Sequence, residues 1–394
     1  VQLVEKHVVL DDRFYNICNK SALLYNFVTY HYRQAIFGKQ EYFSEFEMST
    51  ICAEFNQEDY RALPSQTSQQ VIKQVFKNFK SWIVAKKEYV KNPSKFLGKP
   101  KIPKYKDGKK QNIVVFTNQQ CKLKDGLIHF PKMVNLAPIK TKVNNFCQVR
   151  IVPMATCYIV EIVYERKEIN LGLSKENVLS IDLGLNNFAT CVTNVGLTPF
   201  IVNGRPIKSF NHWYNKKKAK FMSYVRDKGT SKKLQQLNNY RNFWIEDKNH
   251  KISRYIIEYC IANNIGRIIV GKNDSWKQSI NLGIKMNQKF VEIPHAKLIQ
   301  KLEYKSQLVG ITFEITEESY TSKIDHLAGE EMKKQERYLG KRVKRGLFQS
   351  SIRKLLNSDV NGSIGIGIKV IGNSFVQRII NSGQVFCPKI VNIF

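Results

Sequence analysis

The sequence lacks any Cys-x-x-Cys pair, although it contains eight cysteines. They stand far apart, at positions 18, 52, 121, 147, 157, 191, 260 and 387. A disulfide-stabilised secreted domain or a tetrahedral zinc site needs cysteines at short, regular spacings. The scatter therefore predicts reduced, mostly buried thiols in a cytoplasmic protein.

Acidic residues are also scarce. The 394 residues include 32 Asp and Glu against 63 Lys and Arg, which leaves a formal net charge of +31. A chain this basic attracts polyanions, and nucleic acid presents the densest array of phosphates. The charge balance therefore predicts a nucleic-acid partner.

Long hydrophobic runs are absent as well. The longest stretch without a charged residue, 183–204, is rich in Asn, Thr and Gly and too polar to span a bilayer, so no membrane partner is expected. Hydrophobic residues still make up 43% of the chain, which excludes general disorder. At about 150 residues per domain, the length predicts two or three domains.

The sequence does contain a succession of distinct segments. Residues 1–10 alternate weakly, as a strand does, whereas 11–90 carry helical spacing with many lysines. Residues 91–110 hold eight lysines, three prolines and two aromatic residues, which predicts an extended loop that contacts phosphates and bases. Short strand patterns follow in 112–166, and 213–254 form a long basic helical region.

Acidic residues lie at three places where a strand ends or a helix begins. Asp182 ends a buried apolar strand, and Glu317 and Glu318 follow another strand. Asp359 falls in the first turn of a helix, after an Asn or Ser cap. An Asp in an apolar strand requires a cation or hydrogen-bond donors, so Asp182 alone is as consistent with a turn cap as with a metal ligand.

The order of the elements around these acids is informative. Three strands are followed by helix, strand, helix, strand and helix, which is the order of the ribonuclease H fold. In that fold the three acids would converge on one pair of metal ions. Two Mg²⁺ ions prefer oxygen ligands and suit phosphodiester hydrolysis.

Four motifs, spread over most of the chain, resemble the TnpB family of RNA-guided nucleases encoded by insertion sequences. They are IDLGLNNFAT (181–190), ITEESYTSK (315–323), KRVKRGLFQSS (341–351) and DVNG (359–362). The TnpB family is similar to the miniature type V CRISPR effectors that descend from it. The resemblance extends over about residues 60–365.

The resemblance implies a multidomain α+β protein. A β-barrel wedge domain with a helical insertion would precede a ribonuclease H-like (RuvC) α/β domain that also has a helical insertion. The implied parts are the wedge domain at 1–10 and 91–170, the helical recognition domain at 11–90, the RuvC nuclease at 171–212 and 255–370, its basic helical insertion at 213–254, a charged loop at 323–356 and a C-terminal tail at 371–394.

The family implies an RNA-guided DNA endonuclease that cuts beside a short adjacent motif with a two-metal RuvC site. The implied cofactors are two Mg²⁺ ions and a guide RNA from the transposon end, and the implied partner is double-stranded target DNA. We expect a monomer with one RNA, located in the cytoplasm with the nucleoid. Asp182, Glu318 and Asp359 are the expected catalytic metal ligands.

The residues expected to bind nucleic acid are basic and lie in the loop after residue 90, in the helical insertion and around the last two motifs. They are Lys95, Lys99, Lys101, Lys104, Lys216, Lys217, Lys218, Arg241, Lys251, Arg254, Lys323, Lys341, Arg342, Lys344 and Arg345.

The sequence departs from the family pattern at the middle acid. Family members commonly carry a Glu at the end of the fourth strand, where this sequence has Gly271, and Asp274 lies past the strand end. Some TnpB relatives and the eukaryotic Fanzor proteins use a glutamate on the neighbouring strand instead. Adjacent strand residues face opposite ways, so only one of Glu317 and Glu318 can take this role. We prefer Glu318, which lies directly before the SYTSK sequence, with Glu317 as the alternative.

A second departure is the missing zinc ribbon. The family's Cys-x-x-C pairs would fall between Ser322 and Asp359, but that interval has no Cys and a single His, so no zinc is expected. The interval instead predicts a charged loop. The residues after about 371 match no pattern.

Two other functions are compatible with these observations. Nuclease-inactive TnpB descendants act as RNA-guided DNA-binding repressors, and Gly271 together with the missing ribbon resembles their erosion. Intact Asp182 and Asp359 argue against that alternative. A transposase that joins DNA ends shares the fold but works without RNA.

Overall fold

The computed structural model describes residues 1–106, 111–225, 229–272 and 294–393. The chain separates into two compact units, Gln2–Arg166 and the residues from Lys167 onward. Asp274, the acid considered past the fourth strand, lies outside the described residues. Within the described ranges, no helix is both long and apolar enough to cross a bilayer. The eight cysteines are free thiols, and six of them are buried.

The first unit combines two antiparallel sheets with four helices. The strands pair in the orders β1-β7-β6-β2 and β3-β4-β5. The strands are β1 (Gln2–Val9), β2 (Val114–Thr117), β3 (Lys122–Lys124), β4 (Leu127–His129), β5 (Ile139–Lys140), β6 (Gln148–Pro153) and β7 (Tyr158–Glu165). The helices are α1 (Arg13–Ile36), α2 (Glu45–Glu54), α3 (Glu58–Arg61) and α4 (Ser65–Lys91).

Local sequence explains where these helices begin and what they bury. Ser44 and Glu47 form a reciprocal capping box at the start of α2. In α4, apolar residues at helical spacing, such as Val71, Val75 and Phe79, are buried, and lysines occupy its outer side. These helices share one hydrophobic core with the strands of the unit, so helix and sheet stabilise each other.

The second unit is built on a six-stranded sheet. The strands of this sheet are β8 (Ser174–Asp182), β9 (Asn187–Thr193), β10 (Phe200–Asn203), β11 (Ile265–Gly271), β12 (Thr312–Thr316) and β16 (Lys389–Val391). The strands β13 (Lys341–Lys344), β14 (Leu347–Gln349) and β15 (Leu355–Asn357) form a separate small sheet. Its helices are α5 (Arg205–Ser223), α6 (Lys232–Ala262), α7 (His295–Val309), α8 (Ser358–Ile371) and α9 (Ser374–Ser382).

The six strands follow the order β12-β11-β8-β9-β10-β16. Strands β8, β11 and β12 are parallel, so their carboxyl ends lie along one edge. Strand β9 runs antiparallel to β8 and to β10. Strand β11 is mostly apolar and the second half of β8, residues 178–181, is fully buried, because helices cover both faces of the sheet. The carboxyl ends of β8, β11 and β12 therefore lie side by side, where side chains at these ends can form one site.

Two segments differ from the sequence-based expectation. The interval 323–356, expected to be a charged loop, contains a three-stranded antiparallel sheet formed by β13, β14 and β15. The charged residues of β13 are exposed, so the strand has no apolar alternation that would indicate it. The expected tail 371–394 instead forms α9 and then β16, which pairs in parallel with β10.

Candidate active site

Asp182 is the last residue of β8 and lies at the carboxyl edge of the sheet. The parallel pairing of β8 with β11 sets Ile181 opposite Val270, which brings Gly271 level with Asp182. The chain then turns sharply: a side chain at Gly184 would lie 2.5 Å from the carbonyl oxygen of Asn187. His295 at the start of α7 also contacts this turn, with its Nε2 3.0 Å from the Gly184 oxygen.

Asp359 reaches the same edge from the first turn of α8. The Asn357 side chain caps this helix by accepting from the backbone N–H groups of Asp359 and Val360. Asn187 Nδ2 donates a 2.7 Å hydrogen bond to Asp359 Oδ2. The turn after Asp182 therefore holds the second acid as well as positioning the first.

Helix α8 packs closely against β8 because small residues face the strand. A side chain at Gly362 would lie 2.7 Å from Asp182 Oδ2, so only glycine leaves room for that carboxylate. Beside it, the hydroxyl groups of Ser363 and Ser180 are 3.0 Å apart. The glycines that weaken an isolated helix thus allow α8 to approach the acid on the strand.

Glu318 and Glu317 point in different directions where the chain leaves β12. The Glu318 side chain lies over Gly271: a Cβ at position 271 would be 2.6 Å from Glu318 Cγ and 2.9 Å from its Oε1. Glu317 is exposed, and its Oε2 lies 3.7 Å from Lys369 Nζ on α8. The same Lys369 ammonium donates to the Glu317 backbone oxygen and to Ser319 Oγ. The structure thus brings Glu318, and not Glu317, to Asp182.

Asp182, Glu318 and Asp359 together form what we call the acidic rim. Burial raises the pKa of Asp182 well above its ordinary value, and the charges of Glu318 and then Asp359 raise it further. Burial also raises the pKa of Glu318 to about 7. Within the described ranges no three Asp, Glu, His or Cys side chains are already placed as a metal-ligand group. The carboxyl groups of Asp182 and Glu318 are therefore more stable when they are protonated, or when a cation lies nearby, than when they carry uncompensated negative charge.

Replacing Glu318 by Gln should stabilise the protein in EDTA at pH 8 while leaving it unchanged near pH 4. The pKa of Glu318 rises from 4.5 to about 7 on folding, so the free energy of unfolding falls as the pH rises through this interval. The loss approaches about 3 kcal/mol before solvent screening. Urea unfolding at both pH values measures it. Glu317→Gln, at an exposed position, should change nothing, and equal stabilisation by both variants would contradict the assignment.

Replacing Asn187 by Ala should slow any reaction that depends on Asp359. The substitution removes the 2.7 Å hydrogen bond that orients this carboxylate. Loss of a group that orients a ligand typically costs ten- to a hundredfold, and we expect about tenfold in rate. Asn187→Asp should cost more, because it also adds a like charge beside Asp359. Single-turnover rates of that reaction measure both, and an Asn187→Ala protein with the original rate would count against this role.

A buried carboxylate organises the segment that stands where the family has its zinc ribbon. Asp325 Oδ2 accepts hydrogen bonds from Ser350 Oγ at 2.9 Å and from the backbone N–H and hydroxyl of Ser351 at 2.6 and 2.9 Å. These hydrogen bonds connect Asp325, which precedes β13, to the two residues that follow β14. Arg342 on β13 is exposed, and its positive charge lowers the pKa of Asp182. The hairpin therefore brings a cation near the acidic rim.

The other predicted nucleic-acid-binding residues lie on the surfaces of both units. Arg241 is half-buried, and the remaining residues of that set are exposed. Lys95, Lys251 and Arg254 form ion pairs with acids one or two helical turns away. Surface pairs of this kind contribute little stability, so phosphates can compete for these cations.

Sequence reasoning missed the residues that position the acids. Asn187, Lys369, Gly362 and His295 each contact the acidic rim or the loop that carries it. The two asparagines in IDLGLNN were a visible signal, since a polar pair directly after a buried strand needs a partner. The roles of Lys369 and His295 follow only from tertiary contacts.

Two protein-family models match parts of the chain after residue 160. A model described as a probable transposase (OrfB_IS605) matches residues 161–277, and a Cas12f1-like TNB domain matches residues 295–366. These matches confirm the resemblance to the TnpB family and the miniature type V effectors. A search of curated protein sequences gave no significant match.

Solved structures share the fold. A Cas12f1-sgRNA-target DNA complex is similar with a TM-score of 0.52 and 15% identity, covering 90% of this chain and 81% of that chain. The mini-RNA-guided endonuclease CRISPR-Cas_phi3 is similar with a TM-score of 0.50 and 8% identity, covering 95% of this chain and 92% of that chain. The chain therefore has the mixed α/β fold of these proteins.

Proposed function

We propose that this protein is an RNA-guided DNA endonuclease that cleaves target DNA next to a short adjacent motif. The observation that carries the proposal is the acidic rim: three acids far apart in sequence meet at one edge of one sheet. The choice of DNA as the substrate and of RNA as the guide comes from the resemblance to the TnpB family. The net charge of +31 fits a protein that holds both RNA and DNA.

The sheet topology supports a RuvC-type nuclease. The order β12-β11-β8-β9-β10, with β9 antiparallel to both of its neighbours, corresponds to a five-stranded ribonuclease H-like sheet to which β16 is added. Helices α5 and α6 correspond to the basic insertion, and they extend beyond its expected limits of 213–254. In the first unit, the two sheets correspond to the wedge domain and α1 to α4 to the recognition domain.

The donor set of the acidic rim fits divalent magnesium. Three carboxylates offer the hard oxygen ligands that Mg²⁺ prefers, and the raised pKa of Asp182 and of Glu318 reflects a site that a cation would relieve. Two Mg²⁺ ions held by Asp182, Glu318 and Asp359 would activate a water and neutralise charge on the leaving oxygen. Rotation of these three side chains would bring their carboxylate oxygens close enough to share the ions.

The protein's own residues prepare this site. Asn187 orients the Asp359 carboxylate, and Gly362 lets the Asp182 carboxylate lie against α8. Lys369 holds the 317–319 turn so that Glu318 faces inward. Arg342 is the cation placed to attract the phosphate of the strand to be cut. The guide RNA would carry the sequence specificity by base pairing.

A guided cleavage assay tests the proposal. RNA that copurifies with the protein is sequenced, a matching target duplex is made, and cleavage is followed with Mg²⁺ and with EDTA. We expect cutting that requires the RNA, the matching sequence and Mg²⁺. Guided binding without cutting would support the alternative, a nuclease-inactive repressor, and cutting after RNA digestion would support a transposase.

The proposed function also implies a cellular location and an oligomeric state. We infer a monomer that carries one guide RNA derived from the transposon end, in the cytoplasm with the nucleoid. Light scattering of the RNA complex measures the stoichiometry directly.

A further inference from the structure

The hairpin of α5 and α6 carries an aromatic cluster whose outer rings are exposed. Its inner pair, Phe210 and Trp244, stacks with ring centroids 4.1 Å apart and an interplanar angle of 13°. Trp213 stacks on Phe210 at 5.4 Å and meets Tyr240 edge to face at 6.1 Å. Trp213 and Tyr240 remain 40% and 53% exposed. The outer rings therefore offer stacking surface beyond what the hairpin itself uses.

Contacts other than the outer rings also hold the hairpin together. Tyr214 donates a 2.7 Å hydrogen bond to Asn238, and Arg241 donates from Nε to Asn211 at 3.1 Å. The Arg241 guanidinium also lies over the Tyr214 ring, 4.9 Å from its centroid. With the Phe210 and Trp244 stack, these contacts join α5 to α6. Trp213 and Tyr240 therefore pack on the cluster with part of each ring and leave the remaining part exposed.

The charge around the exposed rings is of one sign. Helix α5 has six Lys and Arg and no acid, and α6 has no acid before Glu246. Lys216 and Lys217 follow Trp213 by three and four residues, so they share its helix face and are exposed. We call Trp213, Tyr240, Lys216 and Lys217 the Trp213 face. Rings flanked by cations suit unpaired nucleic acid, whose bases can stack while its phosphates are neutralised.

The Trp213 face is connected to the acidic rim by the first turns of α5. Lys208 Nζ donates to Asn186 Oδ1 at 3.1 Å, and the adjacent Asn187 contacts Asp359. Lys208 and Trp213 are five residues apart, about 7.5 Å along the helix axis. The same helix that contacts the loop after Asp182 therefore carries the Trp213 face.

We propose that the Trp213 face binds the unpaired DNA strand by stacking its bases on Trp213 and Tyr240. The proposal rests on the proposed function for the choice of DNA, because the strand to be cut passes the acidic rim. The bound bases would keep that strand extended, and Lys216 and Lys217 would contact its phosphates.

Binding measurements in EDTA test this face without requiring cleavage. A fluorescent thymidine oligonucleotide, a uridine oligonucleotide and a DNA duplex are titrated with the full chain. Trp213→Ala/Tyr240→Ala should bind the thymidine oligonucleotide about tenfold more weakly, with duplex affinity unchanged. Trp213→Phe/Tyr240→Phe keeps both rings and should bind as the original protein does.

Two results would overturn the proposal: equal affinity of the alanine variant for the thymidine oligonucleotide, or a loss confined to the uridine oligonucleotide. Photocrosslinking of the original protein with iodouracil-substituted DNA needs no variant. It therefore tests the face even if the alanine variant does not fold. Crosslinks should map to Trp213 or Tyr240, and crosslinks only elsewhere would reject the face. If ring loss weakens binding but guided DNA is never cut, the face stands and the nuclease function fails.

Discussion

Replacing Asp182, Glu318 or Asp359 singly by the matching amide should lower the rate of guided DNA cleavage at least a thousandfold. Each amide keeps the size of the side chain but removes the charge that would hold a divalent ion. Such an ion contributes several kcal/mol of charge stabilisation in the transition state, about a thousandfold at 4 kcal/mol. Single-turnover cleavage of a matched duplex measures the loss.

Controls separate the loss of chemistry from the loss of folding or RNA binding. Glu317→Gln changes a neighbouring exposed acid that pairs with Lys369, and it should retain at least half of the original rate. The amide variants should copurify with the same amount of RNA, because the proposed function gives the acidic rim a role in cutting DNA and none in holding the guide. An Asp182→Asn protein that cuts at the original rate would reject the assignment of the rim.

Gly271 and Glu318 should behave as a matched pair. A side chain at position 271 would contact Ile366 Cδ1 and would lie 2.6 Å from Glu318 Cγ, so Gly271→Ala must displace both side chains. We expect it to lower cleavage by ten- to a hundredfold, as misplacement of a ligand does. Gly98→Ala, where a Cβ meets nothing within 4 Å, should be neutral.

A double substitution tests whether a glutamate at position 271 can replace Glu318. Glu318→Ala removes the acid and the part of the contact with position 271 that Glu318 makes, and Gly271→Glu, with a shift of the Ile366 side chain, then returns a carboxylate to the end of β11. Gly271→Glu/Glu318→Ala should cut at least tenfold faster than Glu318→Ala alone, since the two carboxylates serve the same place. If the double variant is no faster, the two positions are not interchangeable and Gly271 has another role.

Much of the second unit follows from local patterns. The buried runs of β8 and β11, the cap before Asp359 and the order of the elements are visible in the sequence. Asp182 and Asp359 could therefore be named as candidates from their places at a strand end and a helix start. The choice of Glu318 relied on the family resemblance. Alternation cannot decide between residues 317 and 318, because β12 ends at Thr316 and Lys369 sets the direction of the turn.

The segments that sequence reasoning missed have short or charged strands. Strand β16 has three residues, too few for a periodic pattern, and it forms because the edge of β10 is available for parallel pairing. Strand β13 is charged and exposed throughout, so only its pairing with β14 identifies it. In both cases tertiary contacts, not local preference, determine the structure.

Counting bound Mn²⁺ tests most directly whether the acidic rim holds divalent ions. Mn²⁺ substitutes for Mg²⁺ at oxygen sites, and its free fraction can be followed by electron paramagnetic resonance. The original protein should bind two Mn²⁺ more tightly at pH 8 than at pH 6, because bound ions must displace protons from Asp182 and Glu318. Asp182→Asn should lose this binding and Glu317→Gln should keep it. Equal Mn²⁺ binding by the original protein and Asp182→Asn would contradict the shared metal site.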